Sequence, residues 1–412
     1  MNDWREYPLE VVCPTIIDYR GKTPKKSSEG IKLVTAKVVK GGRINEEPAE
    51  YIAESYFDEW MRRGLPRLHD VVITTEAPLG EVGLIRASGR VALGQRIILL
   101  RGNAEIVDQR FLHLLLQTST VQARIAARAT GTTVLGIKQS ELRRVLLPLP
   151  PLKEQRRIAS IVGAYDDLIE VNLRRVAVLE AMARGLFEEW FVRFRFPGHE
   201  NHKIIDTPDG PLPEGWEWQN FGSFASDVRD PVSPSDVLPE TRYVGLEHIP
   251  RRSTTLDSYG RADEVGSLKL RFHRGDVLFG KIRPYFHKVA WVPCGGVASS
   301  DAIVFRAKKN NYRALTLLVA SSDEFIAKAV QTSNGTKMPR ANPAVLRAYK
   351  VASGGEVFAR QFDEVAMPSI ELAASLQAAS EILAATRDLL LPRLISGELS
   401  VAVAERELEA AA

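Results

Sequence analysis

Three stretches of the chain have residue types and spacing that could do chemistry. They are GDVLFGKI (Gly275 to Ile282), HENH (His199 to His202) and NPA (Asn342 to Ala344). The first has the spacing of a phosphate-binding loop at Gly275, Gly280 and Lys281. Ile282 stands where a Ser or Thr should hold magnesium, and Arg283-Pro284 blocks the helix start that such a loop needs. HENH offers imidazoles without a third ligand, in a segment that reads as a solvated linker. Asn342-Pro343-Ala344 lacks the double proline and following aromatic with which an adenine methyltransferase stacks a flipped base. No Gly-rich cofactor loop follows a strand, no carboxylate–lysine cluster of a nuclease stands out, and no serine nucleophile elbow is present. The expectation is a chain with no catalytic residues, no cofactor and no metal.

Basic and small polar residues collect instead in segments that read as loops. DYRGKTPKKSSEG (Asp18 to Gly30) carries Arg20, Lys22, Lys25 and Lys26, WMRRG carries Arg62 and Arg63, and TTEAPLG begins with Thr74 and Thr75. Farther on, PRRSTT carries Arg251 and Arg252, FGKIRPYFHK carries Lys281, Arg283 and Tyr285, and SNGTKMPRAN carries Lys337 and Arg340. Such side chains can hold phosphates and reach base edges. Lys25, Lys26, Arg62 and Arg63 read as phosphate contacts, and Lys281 and Arg283, beside Tyr285, as contacts at bases.

The elements that must position these loops occur twice. DVVITTEAPLGEVGLI, from Asp70, aligns with DVLFGKIRPYFHKVAW, from Asp276. Asp70 meets Asp276, Pro78 meets Pro284, Gly89 meets Gly295, Ala92 meets Ala298, and Ile97-Ile98 meets Ile303-Val304, with no gap from Asp70 to Leu99. Each copy has β-branched runs bounded by Gly and Pro, such as VVIT, RVALGQRIIL and VASSDAIVF, which read as strands. A helical run, a Gly-Thr loop and a short apolar strand follow. Each copy is an α+β unit of domain size.

PPLKEQRRIASIVGAYDDLIEVNLRRVAVLEAMARGLFEEWF (Pro150 to Phe191) follows the first copy and reads as one long helix. Its apolar residues Ile158, Ile161, Tyr165, Leu168, Leu179, Met182 and Leu186 fall at heptad spacing, with Asn172 and Arg175 on the same seam. A helix from Glu154 to Phe194 spans about 60 Å at ~1.5 Å per residue, more than a small domain covers, so it needs a partner. That partner is a second helix predicted over Pro368 to Leu391, offering Leu372, Leu376, Ile382, Leu383, Leu389 and Leu390. The expected class is α+β, with two duplicated α/β domains separated by two long antiparallel helices that form a coiled coil. Residues 1–151 form the first domain and 152–196 the spacer helix. Residues 197–367 form a linker and the second domain, and 368–412 the C-terminal helix and tail.

The chain has 412 residues, 45% of them hydrophobic and 26% charged, with 55 basic against 51 acidic side chains and a net charge of +4. This permits nucleic-acid binding without demanding it. Two cysteines, Cys13 and Cys294, make no disulfide framework. With no long apolar run and no signal core at the N-terminus, they predict a cytoplasmic protein off the membrane.

LPLPPLKEQRRIASIVGAYDDLIEVN and LEAMARGLFEEWFVRF resemble the central region of Type I restriction–modification specificity subunits, and RDLLLPRLISGELS resembles their C-terminal region. RGKTP, GTTVLGIKQSEL and GKIRPYFHKVAW resemble segments of their target recognition domains. The resemblance covers nearly the whole chain, and the Pro-Pro-Leu-x-Glu-Gln-Arg-Arg helix entry is its most specific element. It implies double-stranded DNA as partner, with one recognition domain for each half of a split target. It also implies two modification subunits that supply adenine methylation and a restriction subunit that supplies ATP-dependent translocation and cleavage. The second helix lacks the Glu-Gln-Arg-Arg signature. The rival readings are a stand-alone methyltransferase or nuclease, and a helical scaffold that binds only protein.

Overall fold

In the computed structural model the chain divides into two compact units, Met1–Asp167 with Ala384–Ala412, and Leu168–Leu383. The structure describes residues 4–19, 21, 23–45, 48–86, 89–262, 266–333, 335, 338–404 and 406. Among them, no helix is long and apolar enough to cross a membrane.

The first unit is built on strands β1 (Thr15–Asp18), β2 (Val71–Thr75), β3 (Leu79–Leu84) and β4 (Ile97–Arg101). They form an antiparallel sheet in the order β1-β4-β2-β3. Successive side chains leave a strand on opposite faces, and here both faces are covered. Ile73, Ile98 and Leu100 pack with Phe111, Leu115 and Val121 of two short helices, Gln109–Gln117 and Ser119–Ala126. Val72, Ile97 and Leu99 pack on the other side with Leu33, Ala92, Phe57 and Trp60. Asp108 starts the helix Gln109–Gln117 by accepting the N–H groups of Arg110 and Phe111, which supplies orphan donors of the first turn with an acceptor.

The second unit repeats this plan. Strands β5 (Ala225–Val228), β6 (Val277–Gly280), β7 (Val289–Trp291) and β8 (Ala302–Ala307) take the order β5-β8-β6-β7. One face packs Phe279, Ile303 and Phe305 with Leu315 and Phe325, and the other packs Leu278 and Val304 with Val244, Phe272 and Ala298. Each unit also has one parallel strand pair, Leu33 beside Ala92 in the first and Val244 beside Ala298 in the second.

The ungapped alignment of the copies is corrected by the strand register. Val71 pairs with Leu100, and its counterpart Val277 pairs with Phe305. Leu100 therefore matches Phe305, one residue earlier than the sequence alignment has it. The shift preserves an ion pair. Arg101 Nε and Nη2 donate to Asp70 at 2.8 and 2.6 Å, and Arg306 Nε and Nη2 donate to Asp276 at 2.7 Å each. Asp70 and Asp276 also accept the N–H groups of Arg67 and His273, both at 2.7 Å. The runs read as RVALGQRIIL and VASSDAIVF are each two strands, because a turn at Arg96 or Ser300 reverses their role between sheets.

Two long helices complete the units, α1 (Leu152–Phe187) and α2 (Gly355–Ser396). α1 widens into a π-helical turn over Glu188–Val192. Within each unit their segments run antiparallel. In the first, Ile158 and Val162 share a core with Leu391 and Leu394, and Arg387 bonds Asp166 at 2.6 Å. In the second, Phe191 meets Phe362 with ring centroids 4.9 Å apart, and Ala183 and Phe187 share a core with Ile370 and Ala374.

Two expectations for these helices change. The second begins at Gly355, well before Pro368, which lies in its interior. A mid-helix proline loses one backbone hydrogen bond; here buried Phe362, Ala366 and Met367 hold the turn before it against the core. The seam of α1 also shifts by half. Ile158, Tyr165, Asn172, Leu179 and Leu186 lie on it, but its second row is Val162, Ile169, Val176 and Ala183, all buried. Leu168 and Met182 of the expected row are 53% and 58% exposed, and Arg175 is exposed too. Ile161 is buried, in the first unit's core. Among the C-terminal positions, Leu390 packs partly buried on the first core and Leu383 is half-buried.

Candidate nucleic-acid interface

In each copy one loop expected to read DNA, the hairpin after Thr74 or Phe279, is joined at the end of the sheet by a later loop, which in the second copy is the expected loop of Arg340 and in the first is a segment not among the expected contacts. In the first unit the β2–β3 hairpin tip, from Thr75 to Leu79, is joined by the Gly-rich segment 130–137. Thr75 N–H donates to Arg96 O at 2.8 Å, Ile137 N–H donates to Thr75 O at 3.0 Å, and Glu76 bridges Gly136. In the second unit Lys281 N–H donates to Asp301 O at 2.8 Å, Ala341 N–H donates to Lys281 O at 2.9 Å, and Ile282 bridges Arg340. These bonds equate Thr75 with Lys281, Glu76 with Ile282, Arg96 with Asp301 and Gly136 with Arg340. The next residues, Ala77 and Arg283, are both left-handed, with φ of 48° and 50°. L-residues adopt that conformation at a cost of order 1–2 kcal/mol.

The first tip borders a polar groove of about 410 Å³ lined by Thr75, Glu76, Gln95, Arg96, Gly136 and Lys138. Arg96 Nε stands 3.1 Å from Glu76 Oε1, both side chains about half exposed. Such a pair contributes about 0–1 kcal/mol. Arg96 is itself left-handed, at φ 64°. The Thr75 hydroxyl is buried with no hydrogen-bond partner.

Of the predicted contacts, Lys25, Lys26, Arg62, Arg63, Arg251, Arg252 and Arg340 are exposed. Lys25 lies 5.9 Å from the Tyr56 ring centre. Lys26 donates to Glu50 at 2.7 Å. Arg63 donates to Asp18 O at 2.5 Å and lies over Tyr19. Arg251 packs over Phe286 at 4.0 Å, and Arg252 pairs with Asp323 at 3.2 Å. Tyr285 is exposed at the second tip, and Lys281 and Arg283 are half-buried there. Thr74 and Thr75 are corrected: both are buried, and the Thr74 hydroxyl accepts Glu81 N–H at 2.9 Å. They shape the hairpin and do not reach out from it. Arg20, Lys22 and Lys337 lie outside the described residues.

α1 anchors one loop directly. Glu180 Oε1 accepts from Ser253 Oγ at 2.7 Å and from the N–H groups of Thr254 and Thr255 at 2.9 Å each. This fixes the segment that carries Arg251 and Arg252. Arg252 N–H then donates to His287 O at 2.9 Å. Burial holds the His287 imidazole below its usual range, against a hydrogen bond to Ser321 O. Burial, followed by the nearby Arg251, lowers Lys288, whose ammonium donates to Leu246 O. Glu76, Arg96 and Glu180 escape a reading by sequence. Their partners lie on other strands or loops; the signal for Glu76 and Arg96 is charge beside a turn, and Glu180 is one acid among several on a long helix.

The three stretches of apparent chemistry have structural roles. Val277–Gly280 is strand β6, and Gly280 N–H donates to Lys288 O at 2.8 Å in the sheet. Asn342 caps the helix Pro343–Arg347 by accepting Ala344 N–H at 3.0 Å. The His202 ring packs on Phe196, with centroids 5.3 Å apart.

The chain thus holds two copies of one unit, alike in frame and unlike in the residues at their tips. Residues 1–181 match the family model described as Type I restriction modification DNA specificity domain. The chain is 24% identical over 344 residues to the Type I restriction enzyme MjaIX specificity subunit of Methanocaldococcus jannaschii, covering 80% of this chain and 78% of that one. It is 25% identical over 258 residues to the EcoDI specificity subunit of Escherichia coli, covering 58% and 57%. The crystal structure of a Type I restriction–modification S subunit from M. genitalium shares the fold, with a TM-score of 0.58 at 13% identity, over 96% of this chain and 97% of that one. Over most of its length the chain is therefore similar to Type I restriction–modification specificity subunits.

Proposed function

We propose that this chain is a Type I restriction–modification specificity subunit that reads a split, asymmetric DNA target, one half-site for each unit, and carries no catalytic step itself. The observation that carries this reading is the duplication with unlike tips. Thr75, Glu76 and Ala77 in one unit stand where Lys281, Ile282 and Arg283 stand in the other. Two readers with different donors and acceptors select different bases. Lys25, Lys26, Arg62, Arg63, Arg251 and Arg252 hold phosphates and set register, while Lys281, Arg283, Tyr285 and Arg340 reach base edges. In this reading residues 1–151 and 197–367 are the recognition domains, and 152–196 and 368–412 supply the helices.

The helices also receive partners in the cytoplasm. A groove of about 550 Å³ between Val171, Val178, Leu179, Leu372 and Leu376 is predominantly apolar, and Leu168, Met182, Ile382 and Leu389 are exposed. Apolar surface of this extent marks protein contact. Two modification subunits dock there and supply adenine methylation, and a restriction subunit supplies ATP-dependent translocation and cleavage. A scaffold for protein alone has no use for two different charged tips on one frame.

The test is the methylated motif made when the full chain is expressed with its modification subunit. A gapped motif with two different half-sites is expected. A continuous motif, or a perfect palindrome, overturns the reading.

A further inference from the structure

We propose that Glu76 and Arg96 are the base-reading groups of the first unit, and that Asp301, with Lys281 and Arg340, reads bases in the second. This rests on the DNA reading above and assigns its specificity to side chains.

The two sites share a backbone frame and carry different charges on it. In the first unit an acid, Glu76, lies on the hairpin side and a cation, Arg96, at the lead into β4. In the second, Ile282 stands in the place of Glu76, the cation Lys281 lies one residue earlier in the place of Thr75, the acid Asp301 replaces Arg96 at the lead into β8, and Arg340 replaces Gly136. Side chains kept only for stability have no reason to change in charge while the bonds that frame them are retained. Glu76 and Arg96 are about half exposed, so water screens their attraction and a base edge can replace either partner at little cost. The backbone supports the same assignment. Arg96 holds a left-handed conformation that glycine or asparagine takes more easily, and strain at a non-glycine residue is characteristic of sites where a side chain is placed for use. The buried, unpartnered Thr75 hydroxyl borders the same groove.

The chemistry separates a base from a phosphate. A lone arginine suits either, but a carboxylate 3.1 Å from it repels a phosphate. A base pair offers what this site matches: an exocyclic amine of adenine or cytosine for the carboxylate, and guanine O6 and N7 for the guanidinium. The first half-site therefore contains a guanine read by Arg96 and an amine-bearing base read by Glu76.

The experiment uses the full chain assembled with its modification subunit and selects from duplexes with either half-site randomised, at several salt concentrations. Glu76→Gln and Arg96→Lys are compared with the wild type, and Asp301→Asn serves for the second unit. Arg96→Lys keeps the charge and loses the two-pronged donor. It should lower discrimination at one guanine of the first half-site by about 5- to 150-fold. Glu76→Gln should relax a neighbouring position, and Asp301→Asn should act on the second half-site alone. Unchanged preference at the other positions of the same half-site shows that the substituted unit is folded. Unchanged preference overturns the proposal, as does uniform weakening of all sequences with a flatter salt dependence, the mark of a phosphate contact. A wild-type assembly with no sequence preference overturns the DNA reading itself, and the proposal with it.

Discussion

His113 lies buried on the helix Gln109–Gln117, with Nε2 2.8 Å from the Gly42 carbonyl oxygen. Burial pushes its imidazole down to about 4. In the unfolded chain a histidine protonates near 6.5, so between about 6.5 and 4 the unfolded state binds the extra proton. The contribution to stability is complete above pH 6.5 and drains away as pH falls toward 4, by about 3 kcal/mol. Thermal melts of the wild type should show the first unit's transition falling across that window. His113→Gln should flatten the fall; an unchanged slope would assign it to other groups. The aspartate–arginine pairs make a second expectation. Asp70 is 2% exposed, and Arg101→Met leaves its charge buried without a counter-charge. Urea unfolding should show a loss of about 3–5 kcal/mol in the first unit, and Arg306→Met a comparable loss in the second. Equal melting of both units in either variant would contradict this.

Among the elements, the loop Arg251–Thr255 depends on α1 through one carboxylate, Glu180. Glu180→Ala removes the acceptor from two backbone N–H groups and two hydroxyls, at a cost of about 1–3 kcal/mol in local order. Trypsin should then cleave after Arg251 or Arg252 faster than in the wild type, with Glu180→Gln intermediate; equal cleavage rates would show that the loop is held elsewhere. At this scale much was legible in the sequence. Gly, Pro and β-branched runs marked strands and hairpins, and the Pro-Pro entry marked the start of α1. Within that entry, Gln155 is buried and bonded to Asp108 N–H, Ile106 O and Pro150 O, which explains its place beside charged neighbours. Register was not legible. The alignment of β4 with β8 and the choice between the Ile161–Leu168–Met182 row and the Val162–Ile169–Ala183 row are one-residue decisions. Both options are apolar, and long-range partners decide them. Larger side chains drew the reading to the exposed row.

For the whole molecule the expectation concerns length. Seven residues inserted after Asp167, matched by seven after Leu383, keep the heptad seam in phase and lengthen both helices by about 10 Å. Duplex DNA rises ~3.4 Å per base pair along each strand. The methylated motif should gain about three base pairs between its half-sites, with the half-sites themselves unchanged. An active variant with the original gap would leave the helices as docking elements only.

The order in which the chain is made bears on the first unit. Its core includes Leu391, Leu394, Val401 and Ala404, which leave the ribosome after all of the second unit. Synthesis therefore completes the later recognition unit while the earlier one still waits with one side of its core open. A nascent chain halted before Ala384 carries a finished second reader and an unfinished first one. During translation it is the N-terminal half that needs shelter from aggregation, the reverse of the usual sequence in which the first-made domain folds first.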